Sequence, residues 1–142
     1  MEVSDVRRRL RGAIEDAKRR AADRRARADE ASRAWQEVLP TIAVPAFHAM
    51  ASALTGEGHR FKVLTPGDAV RLSPERSAEE FIELVLDTAR DMPALMVHST
   101  RGRGRRIISV ERSVREGAAI AQLTQEDVVG ILLEELVPFI ER

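Results

Sequence analysis

The chain has 142 residues, 44% of them hydrophobic, which suits one domain able to bury a core without metal or disulfide staples. It contains no cysteine, which excludes a disulfide framework, a thiolate metal site and a cysteine nucleophile, and points to a cytoplasmic protein. Charges balance at 23 against 23, so the strongly basic footprint of a dedicated nucleic-acid binder is missing, although residues 1 to 34 carry 11 basic and 7 acidic side chains, a net +4.

Met1 to Asp5 show no apolar leader, and no stretch approaches the roughly 18 apolar residues that span a bilayer, so no membrane contact is expected. From Val3 to about Val38 the sequence is rich in Ala, Arg, Glu and Asp, with Gly12 its only glycine and no proline, and it predicts one long helix N-capped by Ser4. Leu10, Ile14, Ala17, Ala21, Ala28, Ala31, Trp35 and Val38 recur along one face as a heptad-like seam interrupted by Arg24. Small seam residues let a partner helix approach closely, as in a coiled coil. Acid-to-base pairs at i,i+4 (Asp5 with Arg9, Glu15 with Arg19, Asp16 with Arg20, Asp23 with Arg27, Asp29 with Arg33) suit a free-standing helix. Thirty-five residues make a helix of about 52 Å, against a sheet of about 20 by 24 Å, so much of it should overhang the domain.

Pro40 and Pro45 are expected to break this helix. A second, shorter one follows, with Phe47, Met50, Ala51 and Leu54 on one face and Gly56 as its stop. Phe61–Leu64 and Ala69–Leu72 flank Thr65-Pro66-Gly67-Asp68, which reads as a type II turn in a hairpin. Ser77 to Glu80 resembles a capping box that would start a helix, but the alternation of Ile82, Leu84 and Leu86 with Glu83, Val85 and Asp87 favours a strand. Leu95 and Val97 alternate with Met96 and His98, and Ile108 and Val110 share a face after the Arg101-Gly102-Arg103-Gly104-Arg105 turn. Thr124, with Asp127 at N3, should cap a final helix whose stripe of Val128, Ile131, Leu132, Leu136 and Phe139 is widened by Val129, Leu133 and Ile140. That width suggests contact on two sides, the sheet and the N-terminal helix, with Pro138 fraying or bending the end.

His48, His59 and His98 lie on three different elements, without the i,i+4 spacing of a helical metal site. His98 beside Ser99, with Asp87 or Asp91 nearby, supplies the ingredients of a triad, all of them common residues. Walker A, GxGxxG, HExxH and GxSxG motifs are absent, so no catalytic residue, cofactor or metal is expected. Arg101, Arg103, Arg105 and Arg106 offer planar donor forks to phosphates, against the alternative of a solvated hairpin tip that discourages edge pairing. The basic clusters of the first helix invite the same reading, and the acids among them oppose it. With four Phe, one Trp and no Tyr, base-stacking platforms are scarce.

The sequence therefore predicts an α+β fold: a long N-terminal helix, a short second helix, a mainly antiparallel meander of about five strands, and a C-terminal helix packed on the sheet. Residues 1–38 read as a helical arm and 39–142 as a compact domain. The expected role is a non-catalytic oligomerising or adaptor module, using Leu10, Ile14, Ala17, Ala21, Ala28, Ala31 and Trp35 for self-association or a protein partner. A nucleic-acid accessory protein using Arg101, Arg103, Arg105 and Arg106 is the alternative.

Overall fold

One helical run of 54 residues, Val3–Gly56, opens the computed structural model, which describes residues 1–141. It comprises α1 (Val3–Val38), a π-helical turn (Leu39–Ala43) and α2 (Val44–Gly56). The expected break at the two prolines does not occur. Pro40 enters at the start of the π turn and Pro45 in the first turn of α2. The widened turn carries the backbone past them: the Val44 N–H reaches the Leu39 carbonyl five residues back, and Thr41 Oγ1 donates to the Glu37 carbonyl at 2.7 Å.

This run also corrects the expectation about bilayer-length segments. It contains an 18-residue stretch of mean hydropathy 1.4, enough to cross a membrane by length and composition alone, with 33% of it buried inside the fold. Between residues 38 and 56, Val38, Ala43, Ala46, Phe47 and Met50 supply the core.

The start of α1 also differs from expectation. Glu2 takes the cap position without a side-chain bond, its carbonyl accepting from Asp5 and Val6 N–H, so Ser4 lies inside the first turn. Asp5 there complements the positive end of the helix. Asp5 pairs with Arg8 and Asp16 with Arg19, both at i,i+3 rather than i,i+4, since both spacings are neighbours on a helix surface. Arg27 turns away from Asp23 and donates through Nε to the Asp91 carbonyl at 3.1 Å.

Five strands follow as an antiparallel meander in the order β1-β2-β3-β4-β5: β1 (Phe61–Leu64), β2 (Val70–Pro74), β3 (Phe81–Asp87), β4 (Ala94–Arg103) and β5 (Arg106–Glu116). The first hairpin turns one residue later than expected. Ala69 N–H bonds to the Pro66 carbonyl, which places Gly67 (φ +57°) at the first central position. Positive φ there alone is the type II′ pattern, whose twist matches the flanking strands. The β4–β5 turn repeats it, with Gly104 at φ +64° between the paired Arg103 and Arg106.

The strand reading of residues 81–87 holds. Ser77 Oγ does accept the Glu79 N–H, but the chain then extends, with Ile82 and Leu84 fully buried. One face of the sheet, carrying Leu72, Ile82, Leu84, Leu95 and Val97, forms the core with α2 and with α3 (Gln125–Glu141), where Phe61 and Phe139 meet edge to face at 6.4 Å. Between β5 and α3 a 3-10 turn, Gly117–Gln122, packs on the last turns of α1.

Thr124 and Asp127 form the expected reciprocal cap of α3. The helix continues past Pro138 to Glu141. Its buried stripe is Val128, Leu132, Leu136 and Phe139, and its helical neighbour is α2 rather than α1. Leu133, Val137 and Ile140 remain exposed.

Candidate functional site

At roughly 3.6 residues per turn, Val3, Val6, Leu10, Ile14, Ala17, Ala21, Ala28 and Ala31 all fall within about 60° of Trp35 around the axis of α1. The two halves of this stripe meet different fates. Ala31 and Trp35 are 3% and 1% exposed, whereas Leu10 and Ile14 are 57% and 45% exposed. Ala17 is exposed, and Ala21 and Ala28 are half-buried. Arg24 stands in the stripe between the halves.

Ala31 and Trp35 thus belong to the chain's own core and are unavailable as an oligomer interface, which corrects the sequence expectation for both. The projecting part of α1 ends near Ala28 rather than Val38. Val3 and Val6, 73% and 47% exposed, extend the open stripe at its tip. Their three- and four-residue spacing ahead of Leu10 was the signal that would have found them.

The charges around the stripe are not mixed evenly. Arg7, Arg9 and Arg20 lie within about 80° of its centre, while Asp5, Glu15, Asp16 and Asp23 lie about 100° or more away. The open face of the arm is apolar with basic borders, and its acids point to the back.

At the other end of the molecule, Arg103, Arg105 and Arg106 are exposed at the β4–β5 tip and Arg101 is half-buried. A hollow of about 390 Å³ beside them is lined by Arg101 and Arg103, but also by Glu79 and Glu80. Glu80 is only 8% exposed; its Oε2 accepts the Gly102 N–H at 2.8 Å, and its Oε1 lies 3.6 Å from Arg76. A phosphate entering this hollow meets two carboxylates as well as two guanidinium groups.

His98 lies on the sheet face opposite the core. Its Nε2 is 3.1 Å from Ser109 Oγ, Thr100 Oγ1 is 2.9 Å from the same oxygen, and Phe81 meets the imidazole edge to face at 5.3 Å. Ser99 is buried on the core side, and Asp87 Oδ1 accepts the Ala89 N–H. The triad ingredients read from the sequence are therefore not assembled. The row continues through Phe81 to Arg71, whose guanidinium lies 3.9 Å from the ring centroid and pairs with Glu83 at 3.0 Å. This row was hidden in the sequence because its members meet only through strand register. Among the described residues no group of three or more His, Asp or Glu side chains is placed to hold a metal, and His48 and His59 stand apart from His98 on α2 and on the loop before β1.

No protein family, curated protein or solved structure matches the chain.

Proposed function

We propose that the protein is a non-catalytic, cytoplasmic interaction module that self-associates through the open stripe of α1. The observation that supports this reading is the extent of the stripe: beyond Arg24, the face buried at Ala31 and Trp35 runs on, uncovered, through Ile14, Leu10, Val6 and Val3. Residues 3 to 26 project over roughly 36 Å of helix. A helix without tertiary packing draws little stability from propensity alone, so a cover for this face would stabilise it. Full burial of a Val, Leu or Ile side chain contributes about 1.5–3 kcal/mol relative to full exposure, and the half-exposed residues here would gain a fraction of that each.

The test is mass in solution by light scattering across a concentration series. The wild-type chain is expected to exceed the monomer mass, and Leu10→Glu/Ile14→Glu to return it to the monomer while the fold is retained. Phosphate contact through Arg101, Arg103, Arg105 and Arg106 is the second reading. It is favoured by the exposure of three of these side chains and opposed by Glu79 and Glu80 in the adjoining hollow.

A further inference from the structure

Twelve large hydrophobic side chains are exposed among the described residues, and eight of them lie in two patches: Met1, Val3, Val6, Leu10 and Ile14 on the arm, and Leu133, Val137 and Ile140 on α3. The second patch is one wall of a groove. Met50, Ala53 and Leu54 of α2 form the other wall, enclosing about 400 Å³ with an almost wholly apolar lining. Glu57 and Glu141 stand at its rim, while Glu134 beside Leu133, 73% exposed, pairs with Arg112 at 2.9 Å.

We infer that the arm of one copy docks in the α2–α3 groove of a second copy. The inference rests on the self-association proposed above and names the surface that receives the arm.

Charge selects this occupant. Residues 1 to 27 carry 10 basic and 5 acidic side chains, a net +5, whereas the groove is bordered by Glu57 and Glu141; of the other α3 carboxylates, Glu134 and Glu135 pair with Arg112 and Asp127 with Arg115. Arg7, Arg9 and Arg20 border the arm's apolar stripe, where they would meet the groove's acidic rim. Two arms laid against each other would instead bring like-charged borders together, which opposes arm-to-arm pairing. The arm cannot serve its own groove, because α2 is both a wall of that groove and the continuation of the arm's helix, which runs unbroken from Val3 to Gly56. A second copy supplies a groove without breaking that helix, and reciprocal docking closes the pair.

The experiment uses two full-length variants. Leu10→Glu/Ile14→Glu places acids on the arm, and Leu133→Arg/Val137→Arg places bases in the groove; all four positions are at least 45% exposed, so the fold should tolerate the changes. Retention of buried-tryptophan fluorescence checks this. Each variant alone is expected to lose self-association by on the order of a hundredfold or more, the effect of a charge left unpaired in an apolar contact. Mixed together, they should form a 1:1 complex through the one junction that remains intact, seen by native mass spectrometry.

A groove variant that associates like wild type, or a mixture of two monomeric variants that stays monomeric, overturns the arm-in-groove contact and leaves self-association standing. A monomeric wild-type protein, or an arm variant that associates like wild type, overturns the underlying reading instead. Added salt should weaken the wild-type complex, and association that tightens with salt contradicts the charge pairing.

Discussion

The indole Nε1 of Trp35 donates a 2.6 Å hydrogen bond to the backbone carbonyl of Asp68, fastening the last turns of α1 to the turn between β1 and β2. Trp35 is 1% exposed, so this contact combines large apolar burial with a satisfied polar edge. Trp35→Phe keeps most of the volume and removes the donor, and should cost about 1–3 kcal/mol. Trp35→Ala should cost about 3–5 kcal/mol. Urea unfolding followed by circular dichroism measures both, and a Trp35→Phe variant as stable as wild type would contradict the role of the hydrogen bond.

The cap of α3 makes a prediction in the acid range. The Asp127 carboxyl is held below the usual carboxylate range, first by the backbone N–H of Thr124, then by its hydroxyl, with the Arg115 guanidinium adding less. A depressed folded-state pKa means stability that is present above the ordinary Asp value and lost as pH falls through the lowered one. The stability gap between wild type and Asp127→Asn should therefore hold steady near neutrality and shrink below about pH 4. Thr124→Ala, which removes the hydroxyl that receives the Asp127 N–H, should cost about 1 kcal/mol at neutral pH. Urea midpoints across the acid range check the pair, and a gap independent of pH would rule out the linkage.

Gly117 has φ +53°, and a Cβ placed on it would lie 2.9 Å from Met92 Sδ. The sulfur ends a flexible side chain that is 45% exposed, so it can swing aside, whereas the left-handed backbone strain stays. Gly117→Ala should destabilise by about 1–2 kcal/mol, and adding Met92→Ala should not restore the loss. Recovery in the double variant would show that the contact, not the backbone, sets the requirement for glycine.

For the β4–β5 tip, replacing Arg101, Arg103, Arg105 and Arg106 together by Ala should leave binding to labelled duplex and single strand unchanged across a salt series. Glu79 and Glu80 help line the hollow a phosphate would enter. A lower affinity with a shallower salt slope in the variant would favour the nucleic-acid reading.

Local chemistry was legible where it is self-contained. The Thr124–Asp127 cap was readable because its partners lie three residues apart, and β3 because Ile82 and Leu84 keep strand period despite the misleading Ser77. What failed was whatever depends on distant neighbours. The rule that proline breaks a helix cannot see a π turn between Pro40 and Pro45 supported by the packing of Phe47 and Met50. An alanine-lined stripe looks the same whether its cover is the chain's own core, as at Ala31, or nothing, as at Ala17. Exposure of Leu133, Val137 and Ile140 was equally hidden, since a wide apolar stripe reads alike covered or open. The type II′ turn shifted by one residue from the Pro66-Gly67 expectation, and the Asp68 carbonyl it presents is the one Trp35 holds.

Hydrogen exchange along residues 3 to 21, followed as the protein is concentrated, reads self-association through the arm at its own amides, because docking must protect that segment by mass action. Exchange there should slow with concentration in the wild-type chain and not in Leu10→Glu/Ile14→Glu, while the segment around Trp35 stays protected in both. Arm exchange that is fast and independent of concentration, in a chain that remains monomeric throughout, would rule out self-association through α1.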